Sequence, residues 1–240
     1  KNINEINTAN SIVFNSVYES STSEFKLWQH FQGIEIETDK NTFDDQILNL
    51  MDFNCEQRKA VHFFYTLPFS KNIALIETTW ISNFENDSYM NYDLQLKDYI
   101  KEKLRIKNYK INFTEKGAIP LFYPLHEISN RKINIGSAGG MTRLSTGYTF
   151  LNIQEHSKYI IKNLDNIKDK KPYHIGKKYE FLDNVFLNVL KNNPEQMPSI
   201  FFRMFRGSSD AVIKFLSNKS NIFEDILIIL KMPKWIFIKA

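Results

Sequence analysis

The stretch Ile135-Gly136-Ser137-Ala138-Gly139-Gly140-Met141-Thr142-Arg143-Leu144-Ser145-Thr146-Gly147-Tyr148-Thr149-Phe150 joins a short strand-like run, Lys132 to Ile135, to a helical segment. Glycines let a backbone approach a ligand closely, and amides at a helix start offer hydrogen bonds to a phosphate. The same pattern also describes an ordinary tight turn between strand and helix. Ser145 or Thr146 stands where a helix cap belongs. Beyond it Phe150, Ile153, Ile160, Ile161, Leu164 and Ile167 keep the spacing of one helix face.

Upstream of this junction the period changes from helical to two. Ile34 and Ile36 alternate with Glu35 and Glu37, which predicts a half-buried strand over Gln29 to Thr38. Further strands are predicted at Ile47 to Phe53, Val61 to Leu67 and Ile73 to Trp80, with short connections that favour an antiparallel sheet. Tyr92 to Leu104 has one apolar helical face, and Tyr109 to Phe113 returns to strand until Gly117 and Pro120 break it. Ile12-Val13-Phe14 reads as a buried strand. Downstream, Tyr179 to the end reads as three or four helices punctuated by Pro194, Pro198, Gly207 and Pro233. The class is α/β, or α+β for the chain as it stands. A chain that opens on Lys1 and reaches a buried strand so soon is expected to be a fragment.

Composition narrows the functions. The 240 residues carry a net charge of +4 and are 42% hydrophobic, enough for a sizeable core. The basic residues are scattered; the densest run, Lys168 to Lys171, is interrupted by Asp169, so no nucleic-acid partner is expected. Cys55 is the one cysteine, which excludes an intramolecular disulfide and favours a reducing compartment. His30, His62, His126, His156 and His174 have no metal-ligand spacing, and no metal is expected. No apolar run approaches the roughly 18 residues of a membrane span. The chain has no G-x-G-x-x-G, G-x-S-x-G or Walker A pattern.

Three segments in order carry a resemblance: Gln29-His30-Phe31-Gln32-Gly33-Ile34-Glu35-Ile36-Glu37; Phe64-Tyr65-Thr66-Leu67-Pro68-Phe69-Ser70 with Ala74-Leu75-Ile76-Glu77-Thr78-Thr79; and the glycine stretch from Ile135 to Phe150. Here the chain resembles the bacterial FAD-dependent lycopene cyclase family, from Ile12 to about Phe237. The resemblance implies an FAD/NAD(P)-binding flavoprotein fold with an antiparallel-sheet substrate domain and a helical C-terminal tail. It assigns 1–28 to the end of an N-terminal FAD-binding portion, 29–125 to the substrate domain, 126–170 to a return to the FAD-binding domain, and 171–240 to the helical region. The glycine fingerprint would then lie in a preceding segment.

The implied activity is closure of ionone rings on the ends of lycopene or a related linear carotenoid, without net redox change. An alkene is a poor base, so its proton must come from a carboxylic acid kept neutral by burial. Glu77 matches the family's acid–base position, in a strand with Ile73 and Leu75 and near Trp80; a solvent-facing or lysine-paired Glu is the plainer reading. The family often carries a second acid directly afterwards, where this chain has Thr78. Asp52 is expected either to position Glu77 and stabilise the cation or to be a structural, hydrogen-bonded acid. The cofactor would be reduced FAD, touched by Gly136, Ala138, Gly139, Gly140, Met141, Thr146 and Gly147, with NAD(P)H as its reductant. Arg143 is left between a pyrophosphate and a sheet carboxylate. The apolar end from Phe223 to Ile238 reads as an interfacial helix or, more plainly, as a core helix with snorkelling lysines; the substrate's solubility implies a peripheral place on the cytoplasmic membrane. A monooxygenase or prenyl reductase of the same fold, and a non-catalytic carotenoid-binding chain, are the competing readings.

Overall fold

Alternation along residues 28–37 and 73–82 produces the two longest paired strands, and the rest of the sheet forms around them. The computed structural model describes residues 12–17, 26–83, 87–124 and 132–240; His126 lies outside them. The strands are β1 (Val13–Asn15), β2 (Trp28–Glu37), β3 (Asn49–Asp52), β4 (Val61–Pro68), β5 (Ile73–Ser82), β6 (Lys110–Pro120) and β7 (Lys132–Asn134). The helices are α1 (Tyr92–Asp98), α2 (Phe150–Lys162), α3 (Lys177–Asn192), α4 (Met197–Phe205), α5 (Ser209–Leu216), α6 (Ile222–Ile229) and α7 (Lys234–Ile238). They divide into one unit of residues 25–119 with 193–198, and a second of 1–24, 120–192 and 199–240. The boundaries expected at 29 and 125 thus fall at 25 and 119. The segments expected to separate at 170 pack as one.

The first unit is a five-stranded sheet in the order β3-β4-β5-β2-β6. β5 pairs antiparallel with both β4 and β2, and β3 antiparallel with β4. Even-numbered side chains of the central strands face α1: Ile34, Ile36, Phe64, Ala74 and Ile76 pack with Leu96, Tyr99 and Ile100. Further along the same face Trp80 is fully buried with Ala60, Tyr89 and Tyr92. Its ring stacks on His62 at 3.8 Å, and its Nε1 donates to Gln95 Oε1 at 2.9 Å. His30, beneath α1, is bound by Tyr92 and Ser82, both at 2.7 Å. These rings are therefore satisfied internally, whereas the buried Thr66 Oγ1 on the same face has no hydrogen-bond partner among the described residues.

Three boundaries differ from expectation. The helix expected to run to Leu104 changes at Tyr99 into a π turn over Tyr99–Lys103, closed by Leu104 N donating to Tyr99 O at 3.1 Å. β3 is four residues long, and the apolar run before it is exposed at Leu48, 61%. β6 continues through Gly117, because a Cβ there would lie 2.7 Å from the Phe31 ring. The glycine seats an aromatic ring instead of ending the strand.

In the second unit β1 pairs in parallel with β7, and Asn15 Nδ2 donates to Asn134 Oδ1 at 3.1 Å. Phe14, expected in a buried strand, is 43% exposed, while Asn15 is buried. α2 likewise turns its polar side inward. Asn152, His156 and Ile160 are buried, whereas Phe150, Ile161 and Leu164 of the expected apolar face are exposed. Asn152 explains the rotation: its Nδ2 donates to Met141 O at 3.0 Å and its Oδ1 accepts from Asn218 at 2.7 Å. Helices α3 to α7 number five where three or four were expected. Pro198 sits in the first turn of α4 and ends nothing, as helix geometry permits.

Arg143 holds this unit together. Its side chain is 0% exposed and pairs with Asp183 of α3, 2% exposed, through Nη2 to Oδ1 at 2.7 Å and Nε to Oδ2 at 3.0 Å. Asp183 also accepts from Leu144 N at 2.9 Å and from Ser145 Oγ at 2.7 Å. The remaining guanidinium nitrogen donates to Phe215 O and to Asn218 Oδ1. The glycine loop, α3 and the end of α5 thereby share one polar knot, and neither alternative expected for Arg143 applies. Ser145 is spent on Asp183. The N-cap of α2 is Thr149, whose hydroxyl donates to Gly147 O at 2.8 Å and makes no cap bond.

Two stability measurements follow. In chemical denaturation, Ile76→Ala should cost about 2–5 kcal/mol and Leu48→Ala should stay within about 0.5 kcal/mol. Arg143→Met, which strands a buried carboxylate, should cost about 3–5 kcal/mol; pairing it with Asp183→Leu should recover a large part of that loss.

Candidate active site

The odd-numbered side chains of the same strands form the sheet's other face. Glu77 lies at its middle, directly paired with Gly33 on β2 and Tyr65 on β4. Leu75 and Thr79 flank it along β5, with Phe63 and Leu67 beside them on β4. Phe63 and Thr79 are buried, while Phe31, Tyr65, Leu67, Leu75 and Glu77 are half-buried. Around Glu77 this face is apolar, aromatic and partly open, with Glu35 and Glu37 toward one end of β2.

Burial pushes the Glu77 carboxyl up to about 7; the hydrogen bond from Thr79 Oγ1 to Glu77 Oε1, at 2.5 Å, opposes this, and the charge of Glu115 adds to it. Desolvation dominates because the charged form loses water that this face cannot replace. No ion pair joins Glu77 to a cation among the described residues. The carboxyl can therefore be neutral near neutral pH and still deliver a proton.

Trp80, expected close to Glu77, projects from the opposite face. It is three residues along a strand of period two, an odd step. Asp52 is also remote from Glu77 in this sense. It pairs with Phe64, whose side chain packs toward α1. Asp52 Oδ2 accepts from Tyr99 Oη at 2.8 Å and Oδ1 from Asn54 N at 2.9 Å. These bonds fit the structural alternative.

Reading of residue types missed Glu115, on β6. A Cβ placed on Gly33 would lie 3.1 Å from Glu115 Oε1 and 3.1 Å from Leu75 Cδ1. Gly33 inside an alternating strand was the available signal, since a strand glycine often marks a close approach.

The glycine loop of the second unit is tightly closed. Gly136, Gly140 and Gly147 have φ of 59°, 75° and 70°, the left-handed region that suits glycine. Gly139 is required for contact, because a Cβ would meet Asn134 O at 2.6 Å. The amides of Gly139, Gly140 and Met141 donate to carbonyls of Ile135, Ser137 and Gly136, and those of Thr146 and Gly147 to Arg143 O. Ala138 and Met141 are buried in the core. What the loop offers a ligand is bare backbone at Gly136 and Gly140, where the nearest atoms to an added Cβ are 4.0 and 3.7 Å away. Beside it runs a row of hydroxyls within hydrogen-bond distance, Thr142 Oγ1 lying 3.2 Å from Thr149 Oγ1 and 3.3 Å from Ser137 Oγ. With Arg143 engaged by Asp183, Phe215 and Asn218, the loop presents backbone and hydroxyl groups to a ligand.

The potato (Solanum tuberosum) chloroplastic neoxanthin synthase is 28% identical over 132 residues, 50% of this chain and 26% of that protein. The lycopene beta cyclase of Narcissus pseudonarcissus is 29% identical over 133 residues, with the same two shares. The matched stretch thus spans about a quarter of the length of these relatives. Two solved structures overlap the chain at low identity. A geranylgeranyl bacteriochlorophyll reductase-like protein from Thermoplasma acidophilum has 13% identity and a TM-score of 0.46, over 89% of this chain and 54% of that one. The flavin-dependent brominase Bmp2 has 14% identity and a TM-score of 0.42, over 80% and 50%. The lycopene cyclase protein family matches from residue 4 to residue 239, and the chain belongs to that family.

Proposed function

We propose that this chain supplies the substrate-facing sheet and the glycine loop of an enzyme that closes rings on the ends of lycopene or a related linear carotenoid. The observation that carries this reading is Glu77, a carboxyl with no cation paired to it among the described residues, on an apolar and aromatic sheet face. The protonated Glu77 gives its proton to a terminal carbon–carbon double bond, leaving a tertiary carbocation. The next double bond closes the ring, and loss of a proton from the ring returns one proton to a carboxylate. No electron is gained or lost, so the product is an isomer. The faces of Phe31, Phe63 and Tyr65 suit a passing positive charge, and the neutral Glu77 requires no counter-cation that would repel it.

Gly136 and Gly140, with the hydroxyls of Ser137 and Thr142, would hold FAD. In its reduced form FAD supplies negative charge near a carbocation, and NAD(P)H serves only to keep it reduced. The helical end supports a peripheral place on the cytoplasmic face of a membrane. Phe223, Leu227, Trp235 and Ile238 are between 55% and 78% exposed, and no helix among the described residues is long and apolar enough to cross a bilayer.

The test is expression of the complete reading frame containing this chain in a bacterium that accumulates lycopene, with pigments separated by chromatography. Cyclic isomers of unchanged mass are expected, and Glu77→Gln should lower their yield at least 100-fold. Full activity in Glu77→Gln would remove Glu77 from the reaction, and oxidised or reduced pigments would replace cyclisation with redox chemistry.

A further inference from the structure

Beside Glu77 on β5 stand Ile76 and Thr78, so any second carboxyl must come from elsewhere in the fold. Strand order supplies one. β5 and β6 are separated only by β2, and neighbouring strands lie about 4.8 Å apart, so their backbones stand about 10 Å apart. Normally a β2 side chain would fill that interval. At this level β2 has Gly33, paired in register with Glu77, and the space above it holds the Glu115 carboxyl. The Glu115 carboxyl therefore lies over Gly33, the β2 residue directly opposite Glu77.

We infer that Glu77 and Glu115 form a carboxyl pair across Gly33, in which Glu115 is a positioning residue that acts on the reaction through Glu77. This deepens the cyclase reading and rests on it. Two like charges this close cannot both be held cheaply on an apolar face, so the pair keeps one proton more readily than either group alone. The surroundings assign that proton to Glu77. Glu77 has Leu75, Tyr65 and Thr79 around it, whereas Glu115 lies on the outermost strand of this sheet. Among the described residues, the titratable and charged groups of the strands on this side are Tyr65 from β4, Glu35 and Glu37 from β2, and Glu115 from β6. Glu35 and Glu37 accept from Asn112 at 3.3 and 3.1 Å. Lys116 extends over the Tyr92 ring at 4.9 Å, on the α1 side, and does not neutralise the pair. Burial raises the Glu77 carboxyl and the Glu115 charge raises it further. After proton transfer the pair carries two negative charges beside the carbocation, which favours both the cation and the proton's return.

The sign of the test follows. Without the Glu115 charge Glu77 loses its proton at lower pH, so the acid form disappears earlier as pH rises. In the complete enzyme, with lycopene in vesicles, the alkaline limb of kcat/KM should fall near pH 7. Glu115→Gln should move it down by about one pH unit, lowering activity at pH 8 about tenfold and leaving it within twofold at pH 5. Glu115→Asp should restore part of the displacement. A limb unmoved in Glu115→Gln overturns the pair, as does an equal loss at every pH, which a merely structural Glu115 would give. If neither parent nor variant cyclises lycopene, the cyclase reading fails separately. The pair is then decided by pH-dependent infrared difference spectra of the protonated carboxyl band. Glu115→Gln either lowers the midpoint of the band that Glu77→Gln removes, or leaves it in place and refutes the pair.

Discussion

The two-residue period of β5, pinned by strands on both sides, is the constraint on which the site depends. Ala74, Ile76, Thr78 and Trp80 enter the core against α1, so Leu75, Glu77 and Thr79 must face the other way. A slip of one residue would put Glu77 under the helix and Ile76 on the open face. The register with β4 and β2 is unbroken from Ala74 to Ile81, which makes that slip expensive along the whole strand. The same core packing that stabilises the sheet therefore fixes the carboxyl on its apolar outer side.

Placed there, the carboxyl inherits its chemistry from what surrounds it. Apolar neighbours penalise its charge, Thr79 partly restores it, and Glu115 opposes it again. Asp52 illustrates the contrast, since it faces α1 and spends its oxygens on Tyr99 and a backbone amide. Two acids of one sheet, on β3 and β5, thus differ in surroundings by the face they occupy. In the second unit the division runs the other way. Arg143 and Asp183 are the most chemically suggestive pair in the glycine segment, yet both are consumed in holding the loop to α3 and α5.

Much of this was legible in the residue order. Period-two alternation located β2, β-branched and aromatic runs located β4 and β5, and the family resemblance singled out Glu77. The glycines at 136, 139, 140 and 147 marked a loop that only glycine geometry can make. What was hidden depended on contacts between segments distant in the chain. Asn152 facing inward from α2 needed Met141 and Asn218 as partners. Gly117 reads as a strand breaker until the Phe31 ring is placed against it. Trp80 appeared close to Glu77 in sequence, but an odd step along a strand changes faces. Glu115 could not be paired with Glu77 before β6 was known to lie beside β2.

The account stands on the protonation of one side chain at neutral pH. Carbon-13 NMR of protein labelled at the glutamate carboxyls, with the Glu77 resonance identified by its absence in Glu77→Gln, would follow that group through a pH titration. A midpoint near 7 is the predicted result. A midpoint near the ordinary glutamate value of about 4.3 would contradict it, because a carboxylate already ionised at neutral pH has no proton to give to an alkene.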